Sequence, residues 1–218
     1  MTKQGEPSEK AGGKPADKYV RHTREDFAAA ALAILDEYGL PDLTMRRLAS
    51  TLDVQPSALY WHFDNKQTLL AHLADQIIAR GAAVPPVGDD WAATVTAEAQ
   101  ALRDALLAYR DGAEVVSSTL ALGLGAGEAH ERLAQAIAAA GFESETCEIA
   151  AAAFLHFILG HVSHEQQRLQ ADSLGVVSPA LAADPSGMKA ASLVRESFDF
   201  GITLLVTGLE LQRATLSG

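Results

Sequence analysis

Residues 43–66 run LTMRRLASTLDVQPSALYWHFDNK, and the second half of this stretch carries side chains that nucleic-acid chemistry can use. Ser57, Tyr60 and Trp61 share one side of a short helix whose other side carries Leu59 and Phe63, four residues apart. His62 and Lys66 stand near its end. On such a free face hydroxyls and amides can meet base edges in a major groove, and rings can pack against sugars and thymine methyls. Taken singly, Tyr60 and Trp61 read more readily as core, because aromatics serve chiefly to bury area. The combination favours nucleic acid: two short helices, a proline opening the second, and cations at the ends rather than in the middle.

Several elements must hold that face in place. Thr44 is a candidate N-cap, after which Met45, Leu48 and Leu52 recur on one helical face while Arg46 and Arg47 fall off it. Gln55-Pro56 then opens the second helix, proline being best tolerated at a first helical position. Upstream, Thr23 and Asp26 have capping-box spacing, and Phe27, Ala31, Ile34, Leu35 and Tyr38 form a stripe that Gly39 and Pro41 stop. Downstream, Asn65 restarts a longer helix with Leu69, Leu70, Leu73, Ile77 and Ile78 on its inner side. It ends near Gly81 and the VPPVG of residues 84–88, a joint between a small reading domain and a larger body.

The body reads as entirely helical. Asp90 caps a helix from Trp91 to about Tyr109, Asp111-Gly112 breaks it, and a short segment follows to Thr119. Residues 120–127, LALGLGAG, form a glycine-punctuated loop and not a phosphate cradle, because no Lys-Ser/Thr follows and no strand precedes. A helix over 128–140 precedes a long one capped by Ser144, with Ile149, Ala153, Phe157 and Gly160 passing through its centre. Residues 172–187 read as a loop, and a last helix spans about 189–216. That helix places Phe198, Ile202, Leu205 and Leu209 on one side, and Gly201, Gly208 and Gly160 suggest that another helix approaches closely.

Bulk properties are compatible with this plan. At 218 residues and 48% hydrophobic, the chain can build a real core without staples. One cysteine, Cys147, excludes an internal disulfide framework and fits a reducing, cytoplasmic compartment. No apolar run approaches the roughly 20 residues of a membrane helix, and the N-terminus lacks the apolar core of a secretory signal. The net charge of −11 looks unfavourable for DNA, yet residues 1–66 hold nine basic against ten acidic groups, leaving eight against eighteen for the rest. The acidic excess therefore sits away from the proposed reading face and should weaken non-specific phosphate binding. Residues 1–22 are polar and aperiodic and are expected to be a disordered arm.

Residues 23–80 resemble the TetR family of bacterial transcriptional regulators, through LTMRRLASTLDV, the pentad LYWHF at 59–63 and the following NKQTLLAHL. The LYWH form is similar to the tetracycline repressor group. ALLAYRDGAEV at 105–115 and HFILG at 156–160 resemble that group's core domain. The resemblance implies an all-α protein. Its helix-turn-helix DNA-binding domain would span residues 23–66, and its helical ligand-binding and dimerisation domain residues 67–218. It implies a homodimeric repressor of double-stranded DNA, released by a small molecule, with no enzymatic activity, cofactor or membrane.

Carried over position by position, it makes Arg46, Gln55, Ser57 and Tyr60 the base-reading set and gives phosphates to Thr44, Trp61, His62 and Lys66. Capping explains Gln55 and Ser57 equally well, and relatives carry the Gln-Pro pair one position later. It lines the ligand pocket with Leu102, Thr119, Leu133, His156 and His164. Here Val116 stands where those relatives have a histidine and His164 where they have an acidic group. Ala82, Glu98 and Leu133 replace other polar contacts, so a mainly apolar effector is expected rather than a magnesium–tetracycline complex.

His161, His164 and Glu165 have spacing that can bind zinc, but no fourth ligand is evident and no metal is assigned. Two other classes stay open on residues alone: a helical binding protein or enzyme with a vestigial DNA domain, and a non-specific architectural protein. No nucleophile–base pair or carboxylate dyad supports the enzyme, and the acidic body disfavours the architectural protein.

Overall fold

The computed structural model describes residues 22–81, 85, 87–88, 90–175 and 188–216. The expected disordered arm and most of the 172–187 loop lie outside the described residues.

The small domain is built as its caps dictate. Helix α1 (Arg24–Tyr38) begins at Thr23, whose hydroxyl accepts from Asp26 N at 3.2 Å while the Asp26 carboxylate accepts from Thr23 N at 2.7 Å. Phe27, Ala31, Ile34 and Leu35 are its buried face, and Gly39, at φ 87, ends it before a single 3-10 turn over Leu40–Asp42. Thr44 caps α2 (Met45–Thr51) by accepting from Arg47 N at 3.1 Å. Helix α3 (Pro56–Leu59) is one turn only, shorter than the pattern suggests. Tyr60, Trp61 and His62 lie in the turn that follows, where Phe63 N donates to Leu59 O at 2.9 Å. The reason lies just downstream. Asn65 must be extended, at φ −161, to cap α4 (Lys66–Arg80) by accepting from Gln67 N and Thr68 N, so α3 cannot run on to Lys66.

Helix α4 belongs to both halves of the molecule. It packs on α1 at one end, and α5, α6 and α7 pack along the rest. Those helices are α5 (Trp91–Leu107), capped by Asp90, then α6 (Gly112–Ala121) and α7 (Gly127–Ala138). The long helices α8 (Ser144–Ser173) and α9 (Met188–Leu216) complete the body, with α8 against α5, α6 and α7, and α9 against α8 and α5.

Three expectations about α8 and α9 are corrected. Ser144 is the first helical residue, not the cap, which is Glu143 with no side-chain cap bond. The inner face of α8 is Cys147, Ala151, Phe154, Leu155, Ile158 and Val162, while Ile149, Ala153 and Gly160 face outward. A helix with apolar residues on two faces gives the sequence no means of ranking them. Of the three glycines, Gly201 is needed for a side chain rather than a backbone: a Cβ there would sit 2.1 Å from the Phe157 ring. A Cβ added at Gly160 or Gly208 would meet nothing within 4 Å among the described residues.

Helix α8 is, by length and composition, long and apolar enough to cross a membrane. Its inner face is nevertheless packed against α5, α6 and α7, as that of a core helix is.

Candidate nucleic-acid interface and its links to the body

The reading face is anchored from below and open above. Leu59 and Phe63 are fully buried, whereas Tyr60 is 53% and Trp61 88% exposed. Burying two apolar side chains fixes the turn, and the aromatics between them are left to solvent at a cost that a partner surface can recover. Gln55 and Ser57 are exposed, and neither side chain makes a cap bond or any other hydrogen bond among the described residues. Their amide and hydroxyl therefore stay available.

The neighbouring arginines, similar in sequence, differ in commitment. Arg47 is ion-paired to Asp42 at 2.5 Å and its guanidinium lies 3.7 Å from the Tyr38 ring centre. Arg46 is exposed, with no partner among the described residues. Thr44 Oγ1 accepts the cap bond with one of its two lone pairs, yet it is exposed and its O–H can still donate outward. His62 is half-buried against the Phe27 ring at 5.0 Å, and Lys66 is the half-buried first residue of α4.

Polar links tie this head to the body. Asp111, in the left-handed region at φ 57, accepts from Leu40 N at 2.8 Å through one carboxylate oxygen and from the Gln170 amide through the other. Gln166 holds the same corner. Its amide donates to Leu106 O at 3.0 Å and Tyr109 O at 2.8 Å, and its oxygen accepts from Ala113 N at 3.2 Å. On α4, Asp75 accepts from Ala126 N at 2.9 Å. Its C-terminal Gly81 carbonyl accepts from Arg132 Nη1 at 2.7 Å.

Of the five residues expected at a ligand pocket, three are buried and two are exposed. Leu102, Thr119 and Leu133 are buried in the body, and the Thr119 hydroxyl is shared between Val115 O and Val116 O, each at 3.1 Å. His156 and His164 are instead exposed on α8. The adjacent histidine–glutamate group is dispersed. His161 bonds Ser197 Oγ at 2.9 Å, and Glu165 makes a two-pronged ion pair with Arg103 at 2.8 and 2.9 Å. Burial holds His161 below the ordinary imidazole range, with Glu165 opposing and Arg103 and His164 assisting. Among the described residues no group of three His, Cys, Asp or Glu side chains could hold a metal ion. A cleft of about 260 Å³ opens between the end of α5 and α8, lined by Leu107, Tyr109, Arg110, Leu169 and their neighbours, and contains none of the five.

Sequence reading missed the partly buried Arg103–Glu165 pair, the buried Arg132–Glu98 pair and the Asp111 link. One signal was present: Glu98 interrupts the stripe of Val95, Ala99 and Leu102, a charge on an otherwise apolar helical face.

This geometry agrees with comparisons to known proteins. Residues 28–73 match the profile described as bacterial regulatory proteins, tetR family. Residues 84–213 match the tetracyclin repressor-like C-terminal domain. The chain belongs to the TetR family. It is a helix-turn-helix transcriptional regulator of the repressor type, in a family that is not enzymatic.

A curated relative of this TetR-family chain is the tetracycline repressor protein class C of Escherichia coli. The two are 35% identical over 204 residues, covering 88% of this chain and 92% of the relative. Among solved structures, Mycobacterium smegmatis BioQ is 41% identical with a TM-score of 0.74, over 86% of this chain and 97% of its own. BioQ has also been solved with its double-stranded DNA operator, at a TM-score of 0.71 and 39% identity over 86% and 98% of the two chains. A TetR variant from Acinetobacter baumannii in complex with minocycline is 33% identical, with a TM-score of 0.65 over 88% and 98%.

Proposed function

We propose that this TetR-family chain acts in the cytoplasm as a homodimer that binds a palindromic operator and is released by a small-molecule effector. Residues 23–66 serve as the reading head and 67–218 as the ligand-binding and dimerisation body. The observation that carries the reading is the open face over buried anchors: Tyr60 and Trp61 exposed, Leu59 and Phe63 fully buried. Arg46, Gln55, Ser57 and Tyr60 meet base edges, and Thr44, Trp61, His62 and Lys66 meet phosphates and sugars.

Dimerisation is supported by the outer faces of α8 and α9, where Ile149, Phe200, Leu204 and Leu211 are exposed alongside the unobstructed Gly160 and Gly208. Exposed apolar side chains on two antiparallel-packing helices fit a four-helix interface between copies. Two-fold symmetry then sets the reading heads about 34–36 Å apart, one turn of DNA. An effector acting on α4 changes that spacing. The effector has a mainly apolar body, in keeping with Leu102 and Leu133.

Selection of bound fragments from genomic DNA, followed by a gel shift at several salt concentrations, tests the reading. A palindrome retained with preference at high salt supports it. Binding that falls with salt and shows no sequence preference overturns it.

A further inference from the structure

Glu98 of α5 and Arg132 of α7 are both more than nine-tenths buried, at 5% and 9% exposure, with Arg132 Nε 3.2 Å from a Glu98 carboxylate oxygen. Two charges removed from water carry a desolvation cost of several kcal/mol per ion, and hydrophobic residues of similar volume commonly stabilise as well. The geometry of the pair is also incomplete: Arg132 Nε makes no hydrogen bond although it lies 3.2 Å from a Glu98 carboxylate oxygen. A guanidinium offers five N–H donors in a rigid fork. In this one, Nη1 serves the Gly81 carbonyl at 2.7 Å and the Glu128 carboxylate at 3.4 Å, while the buried Nε, beside Glu98, has no hydrogen-bond acceptor.

Gly81 is the C-cap of α4, the helix shared by head and body. The approach there is tight, since a Cβ on Gly81 would meet Ala101 O at 2.8 Å. Arg132 thus holds the end of α4 onto α5 and α7 through one carbonyl. One turn along α5 from Glu98 lies buried Leu102, and Leu133 adjoins Arg132 on α7, so apolar groups flank the charge.

Resting on the effector-release reading above, we infer that the effector carries an anionic group, carboxylate or similar, on an apolar body, and that Arg132 is its receptor. A carboxylate reaching the guanidinium supplies the acceptor that Nε lacks and competes with the Gly81 carbonyl for the fork, which frees the end of α4. A cationic ligand would pair with Glu98 and leave the Arg132–Gly81 bond in place. A neutral apolar ligand would engage neither.

The test uses chain-matched probes on the full-length protein: octanoate, octan-1-ol and octylamine, with affinity read by calorimetry and operator release read separately by fluorescence anisotropy. Octanoate should bind about tenfold more tightly than octan-1-ol, the scale of one charge-assisted hydrogen bond. Glu98→Gln, which keeps shape and removes the competing carboxylate, should bind octanoate more tightly and octan-1-ol unchanged. Arg132→Gln should abolish the preference. Equal response to octanoate and octan-1-ol in the wild type, absence of binding included, or weaker octanoate binding by Glu98→Gln, overturns the inference. Octanoate that binds through Arg132 without releasing operator leaves the receptor assignment standing and counts instead against effector release. Operator release by octan-1-ol alone does the reverse.

Discussion

The carboxylate of Asp111 in the body accepts from the backbone N–H of Leu40 in the reading head at 2.8 Å, joining residues 71 positions apart. The bond is made possible by two left-handed residues, Asp111 at φ 57 and Gly39 at φ 87, and by the absence of a side chain on the glycine. A Cβ on Gly39 would stand 2.8 Å from the same Asp111 oxygen. Head and body are therefore in contact at a second point, well separated in sequence from the α4 connection.

Gly39→Ala should destabilise the protein by about 1–3 kcal/mol, from the left-handed backbone and the clash with Asp111 together. Chemical denaturation of the variant should show a lower midpoint. A midpoint equal to wild type would mean that the corner relaxes freely and that the contact does not fix the head.

Tyr60→Ala should leave thermal unfolding within about 0.5 kcal/mol of wild type, as exposed substitutions generally do, while removing operator preference. Lys66→Ala should weaken binding to all sequences alike and lower the salt slope by about 1. Competition gel shifts with specific and scrambled duplexes separate the two effects.

Of the two adjacent arginines, Arg46→Ala should affect DNA affinity alone, because its side chain has no intramolecular partner among the described residues. Arg47→Ala should cost about 1 kcal/mol of stability, through the stacked Tyr38 ring and the partly exposed, screened Asp42 pair. Thermal melts at low and high salt check this, and the Asp42 part of the loss should shrink with salt.

Gly201→Ala should destabilise the subunit, since the Phe157 ring occupies the space of the new methyl. Gly208→Ala meets nothing within 4 Å among the described residues and gains about 1 kcal/mol of helix propensity, so its subunit should not weaken. If the outer face of α9 is the seat of a second copy, Gly208→Ala should instead raise the dimer dissociation constant in sedimentation equilibrium. An unchanged constant would move the interface elsewhere.

Burial lowers the His161 pKa from its ordinary 6.5, so in acid the unfolded chain takes up a proton that the folded chain resists. The contribution is fully present above pH 6.5 and is lost as pH falls through that value toward the lower folded pKa. Stability measured by denaturant at several pH values should decline over that window. His161→Gln should flatten this part of the profile.

The local elements were legible because their signals are local. Thr23 with Asp26, Thr44 and Asn65 announce helix starts through side chains that bond backbone groups three or fewer residues away. Leu59 and Phe63 could be placed inward from their spacing alone. The length of α3 is not legible locally, because the limit on it comes from Asn65, which serves the next helix. The outward turn of Ile149, Ala153 and Gly160 was hidden for another reason: α8 is apolar on two sides, and which side faces in depends on helices joined much later or earlier in the chain.

Sequence by itself determined the family, the all-helical plan and which side chains are candidates for the reading face, because caps, stripes and the LYWHF motif act over a few residues. Tertiary structure alone decided how those residues are used. It committed Arg47 to Tyr38 and Asp42 and left Arg46 open, turned His156 and His164 out of the body, and buried Glu98 against Arg132. Each of those outcomes depends on packing or pairing between elements beyond the reach of local spacing, which carries no record of distances across the fold.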